Sequence, residues 1–77
     1  MIFNWTDSRG DRFAVADTDT EGEARDLVRM HAYGHYIEEG MSIADAHQKA
    51  AAFARGVELR ALKRSEFAAL CERQRAG

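Results

Sequence analysis

The chain has no proline and a single cysteine, Cys71, in 77 residues. Without a second cysteine no internal disulfide can close, so a small core must hold by packing, by a metal or by a partner. A lone thiol fits a reducing compartment, and a cytoplasmic location is expected, the host cell's cytoplasm if the chain is phage-encoded. Long apolar runs are missing too. Nothing approaches the roughly 20 residues of a membrane span, and no basic-then-apolar leader is read at Met1 to Asp11. Glycine-rich phosphate cradles are absent, since Gly10 and Gly22 stand isolated. No nucleophile constellation is present either. Cys71 lies near Arg73 and Arg75, but no histidine follows it, and it reads as a small buried hydrophobe. An enzyme is not expected.

What remains is ordinary globular material, 45% apolar and 31% charged, long enough for one small domain over 1–77. Charge is divided unevenly along it. Residues 1–45 carry ten acidic against four basic side chains, and residues 46–77 carry three against seven. The first part is therefore net −6 and the second net +4. Such a division can steer partners of either sign, but it does not dictate a fold.

Ile2 to Thr6 and Arg12 to Asp17 alternate apolar with polar or small residues around a polar stretch holding Gly10. This pattern predicts a β-hairpin, with Gly10 supplying the positive φ of the loop. Period two is read as placing Phe3, Trp5, Phe13 and Val15 on the core face. Thr20 and Glu23 form a capping box, and a helix is predicted from there to about Glu39, ended by Gly40. Its inward stripe is read as Ala24, Leu27, Val28 and His31. Ser42 and Asp45 start a second helix, with Ile43, Ala46, His47, Ala50, Phe53, Ala54 and Val57 on one face. Trp5, Phe13, Leu27, Val28 and Phe53 are expected to share one core. Residues 57–61 read either as a short third strand or as helix. A last helix capped by Ser65 turns Phe67, Leu70 and Cys71 inward. The fold class is α+β: an N-terminal β-hairpin packed on two or three helices.

Three constellations bear on function. His31, His35 and Glu39 recur at i, i+4 and i+8, the spacing of a helical metal chelate, with His47 as a further ligand. The Glu of a His-Glu-x-x-His motif is missing, the pair reads as two structural histidines, and neither metal nor cofactor is expected. The turn at Gly40 suggests a helix-turn-helix, but the second helix offers only Gln48 and Lys49 toward base edges. Its acidic predecessor would repel phosphates, so direct nucleic-acid contact is not expected. The acidic series Asp17, Asp19, Glu21, Glu23 and Asp26 exceeds what a helix start requires and suits a basic groove. Beside it, Met30, Tyr33, Tyr36 and Ile37 lie off the inward stripe. These nine residues are the candidate partner-binding set. The two tyrosines are read either as interface anchors or as core covered by the C-terminal helix.

A hairpin feeding the helix start Thr18-Asp19-Thr20-Glu21-Gly22-Glu23-Ala24 resembles small phage and mobile-element accessory proteins. In size, charge and lack of a catalytic motif the chain is similar to anti-CRISPR inhibitors. Those inhibitors share no common fold, and the resemblance carries over no residue. It implies a job: occupying the surface of a larger protein or ribonucleoprotein complex, such as a CRISPR effector. The expected function is thus a non-enzymatic binding protein that inhibits or modulates such a complex. A small DNA-associated regulator or antitoxin, working as a homodimer, is the alternative.

Overall fold

Ile2–Trp5 (β1) and Ala14–Asp17 (β2) pair antiparallel in a computed structural model that describes residues 1–76. The remaining elements are α1 (Glu21–Glu38), α2 (Ile43–Gly56), β3 (Arg60–Leu62) and α3 (Arg64–Ala76). The hairpin loop reverses at Gly10, whose φ is 89°, a region closed to most side chains. β1 is the central strand. It pairs antiparallel with β3 on its other edge, giving the order β2-β1-β3.

Register decides which side chains enter the core. Phe3 faces Ala16 across the ladder and Trp5 faces Ala14, so these four share one side of the sheet. Asn4 faces Val15 and Ile2 faces Asp17 on the other. Phe3, Trp5 and Ala16 are buried, whereas Val15 is 37% exposed. The expected inward placement of Val15 is therefore corrected, and Phe13 lies half-buried in the loop before β2. Asn4, on the outer side, donates through Nδ2 to the carbonyls of Arg12 (2.9 Å) and Ala14 (3.0 Å), holding the loop to β1.

Both long helices begin where their caps predict. Thr20 accepts a hydrogen bond from the Glu23 N–H, and Ser42 accepts one from the Asp45 N–H, each at 3.2 Å. At the end of α1 the Gly40 N–H reaches the Ile37 carbonyl and the Met41 N–H reaches the Tyr36 carbonyl, both at 3.0 Å. With Gly40 at φ 96° this is a Schellman closure, and it returns the chain directly into α2.

α1 and α2 pack along a seam of small residues. Ala24, Val28, Ala32, His35 and Tyr36 are the buried residues of α1, and Ala46, Ala50 and Ala54 those of α2. One cluster joins Trp5 and Ala16 to Val28 and Ala54, with Phe53, Val57 and Leu59 against it. A second joins Ala32 and Tyr36 to Ala46 and Ala50, with Tyr33, Met41 and again Phe53. Trp5, Val28 and Phe53 thus share a core as expected, but Leu27 is 42% exposed. His31 is also exposed, so the inward stripe of α1 lies rotated from the expected one. By contrast, α2 turns Ala46, Ala50, Phe53, Ala54 and Val57 inward as expected and leaves His47 and the 66% exposed Ile43 outside. The cause is size: alanine at the contact lets the helix axes approach, and the bulkier neighbours fall to the margins.

The chain after Gly56 forms the strand rather than continuous helix, at 60–62 rather than 57–61. α3 begins at Arg64, one residue before the expected cap Ser65. Its first turn is closed by Glu66, whose Oε1 accepts from the Lys63 N–H at 3.1 Å. Phe67, Leu70 and Cys71 are half-buried.

Candidate functional site

The outer face of α1 brings together part of the candidate partner-binding set. Leu27, Met30 and Ile37 are exposed by 42%, 60% and 36%, and with Gly34 between them they follow one stripe at helical spacing. That stripe continues sideways across β2, where Trp5, Ala14, Val15, Ala16, Leu27 and His31 line an open, mainly apolar groove. Leu27 and Val15, expected in the core, are exposed and enlarge the apolar surface beyond Met30 and Ile37.

Asp17, Asp19, Glu21, Glu23 and Asp26 are all exposed, running from the end of β2 into the first turns of this helix. Two of them have cationic partners. Asp17 lies 3.3 Å from the Met1 amino group, and Glu21 lies 3.7 Å from Arg25 one turn on. Asp19, Glu23 and Asp26 form no ion pair among the described residues.

The tyrosines go elsewhere. Tyr36 is 6% exposed and sits in the α1–α2 seam, with the Lys49 ammonium 4.8 Å from its ring centroid. Tyr33 is half-buried and stacks on His47, ring centroids 4.4 Å apart. Tyr36 is therefore a core residue rather than an interface anchor, and α2 covers it, not the C-terminal helix.

A second set of residues, sharing His31 with that groove, meets on the adjacent flank of α1. His31 and His35 sit one turn apart with ring centroids 4.3 Å from each other. The residue that joins them is Asp7, from the hairpin loop, and not Glu39 or His47. One donor atom from each of Asp7, His31 and His35 lies within 4.8 Å of the other two. Asp7 and His35 are each 8% exposed, and His31 is exposed. The loop holds Asp7 in place: its Oδ1 accepts from the N–H groups of Arg9 and Asp11, both at 2.9 Å. Ser8 Oγ lies 2.7 Å from His35 Nδ1, and Arg9 pairs with Glu38. The spacing of the histidines was visible in the chain; the approach of Asp7 depends on how the hairpin docks on α1.

Cys71 is a free, half-buried thiol on α3 and belongs to neither site. No helix among the described residues is long and apolar enough to cross a membrane. No family model, curated protein or solved structure matches this chain.

Proposed function

We propose that the chain is a non-enzymatic, cytoplasmic binding protein that inhibits or modulates a larger protein or ribonucleoprotein complex, in the manner of the anti-CRISPR inhibitors it resembles. The observation that carries this is the outer face of α1. Leu27, Met30 and Ile37 expose apolar area on a helix whose inner face is already satisfied by the sheet and α2. Asp19, Glu23 and Asp26, unpaired among the described residues, stand at the head of the same helix. An apolar stripe gives residence time and an acidic rim gives steering, so the surface suits a basic, partly apolar cleft.

The test is capture from host lysate, with wild type and two variants as bait and mass spectrometry as readout. A defined complex retained by wild type, lost with Met30→Asp and weakened with Asp19→Lys/Asp26→Lys supports the proposal. Association that slows with charge reversal and loses its salt dependence identifies the acidic residues as the steering group. Recovery of DNA together with a toxin, insensitive to Met30→Asp, sinks the proposal in favour of the regulator.

A further inference from the structure

We propose that Asp7, His31 and His35 form a binding site for one divalent transition metal ion of the zinc class. Two imidazoles and a carboxylate are a donor set that zinc accepts, and the set is already gathered within 4.8 Å. Zinc bonds to nitrogen and oxygen are about 2.0–2.2 Å long, which puts neighbouring ligand atoms roughly 3.4 Å apart in a tetrahedron. Closing from at most 4.8 Å to that spacing requires any pair of donors to approach by no more than about 1.4 Å. They do not satisfy one another. Among the described residues no hydrogen bond or ion pair joins Asp7 to either histidine, or the histidines to each other.

Charge and burial point the same way. Asp7 is 8% exposed and has no lysine or arginine partner among the described residues, because Arg9 beside it pairs with Glu38. A sequestered carboxylate without a cation is costly, and a metal ion between it and two neutral imidazoles removes that cost. The supports that metal ligands need are in place as well. The N–H groups of Arg9 and Asp11 hold Asp7 Oδ1, leaving Oδ2 to ligate. Ser8 Oγ is placed to accept from His35 Nδ1–H, and in that tautomer Nε2 is the ligating nitrogen.

The chemistry also selects the ion. Imidazoles disfavour magnesium and calcium, which take oxygen ligands. No thiolate participates, since Cys71 lies outside the group. Three protein ligands with His31 toward solvent leave a fourth position for water. Bound there, the ion would join the hairpin loop to the middle of α1, coupling occupancy to folding. His31 also lines the groove beside Leu27, but the ligand set contains none of Leu27, Met30 and Ile37, so variants at those three residues test the partner without touching the metal ligands.

The experiment uses the full chain, stripped of metal, with Zn²⁺, Co²⁺ and Mg²⁺ as probes. Calorimetric titration should show one Zn²⁺ per chain, and Zn²⁺ but not Mg²⁺ should raise Tm in a way that EDTA reverses. Co²⁺ should develop the intense visible bands of a four-coordinate site. Asp7→Asn, which keeps the acceptor the loop needs, and His31→Ala, at an exposed position, should each weaken Zn²⁺ about tenfold or more. His47→Ala should bind as wild type does. Zn²⁺ affinity unchanged in His31→Ala and Asp7→Asn, an equal Tm shift from Mg²⁺, or no stoichiometric binding overturns the proposal. Should Asp7→Asn fail to fold by circular dichroism, His31→Ala decides alone.

Discussion

Arg25 donates a 2.7 Å hydrogen bond to the carbonyl of Ala54, closing the last turn of α2 with a side chain from the second turn of α1. The same Nη1 reaches the Val57 carbonyl at 2.9 Å. The end of a helix leaves carbonyls without partners and carries partial negative charge, and a guanidinium answers both needs. Arg25→Ala should destabilise by about 1.5–3 kcal/mol, the range of hydrogen bonds to charged groups. Urea unfolding of the two proteins checks it. Arg25→Lys should restore only part of the loss, because lysine has no counterpart of the second terminal nitrogen, Nη2, which lies 3.7 Å from Glu21.

Trp5 and Phe13 separate a true core position from an apparent one. Trp5 is 6% exposed and central to the first cluster, whereas Phe13 is half-buried in the loop. Trp5→Ala should cost about 3–5 kcal/mol and bring so small a domain close to unfolding. Phe13→Ala should cost clearly less. Thermal melts of both variants decide the order, and a reversed order would place the hairpin on its other face.

Tyr36 and Met30 divide stability from binding along one helix. Tyr36→Ala removes a ring packed on Ala46 and Ala50 and should lower Tm by many degrees. Met30→Ala, at a 60% exposed site, should shift Tm by no more than about 2–4 °C, as surface substitutions change stability by about 0.5 kcal/mol or less. If the outer face of α1 binds a partner, Met30→Ala should speed its dissociation. Surface plasmon resonance on the captured complex reads that rate.

Glu66 supplies a pH dependence. Its carboxyl is held below the usual range chiefly by the Lys63 N–H; desolvation opposes this, and the charge and hydrogen bond of Arg60 add to it. A depressed folded-state pKa means that the stabilisation is present above the unfolded-state value and is lost as pH falls through the folded value. Wild type should exceed Glu66→Gln in stability at neutral pH, and the difference should shrink on acidification. Denaturant titrations at neutral and strongly acidic pH compare them.

Local signals were readable and tertiary ones were not. Thr20 with Glu23, Ser42 with Asp45, and Gly40 act through residues three or four apart, so their patterns predict the ends of α1 and α2. Hydrophobic period misled where size and polarity disagree. Val15 is more apolar than Ala14 or Ala16, yet pairing opposite Phe3 and Trp5 puts the alanines inside, and strand alternation then turns Val15 out. The same bias toward bulky residues turned Leu27 inward in place of Ala32. Asp7 could not be assigned to the histidines because its role depends on a loop docking 24 to 28 residues away in sequence.

The central place of β1 in the sheet has a kinetic consequence. Its partner β2 is the next element in the chain, but its other edge waits for Arg60–Leu62, nearly sixty residues on. Bringing such distant segments together costs loop entropy unless intervening structure shortens the effective span. α1 and α2, closed on each other by a tight turn, provide that shortening. The hairpin and helix pair should therefore condense first and β3 should dock last, as the strand that completes the sheet.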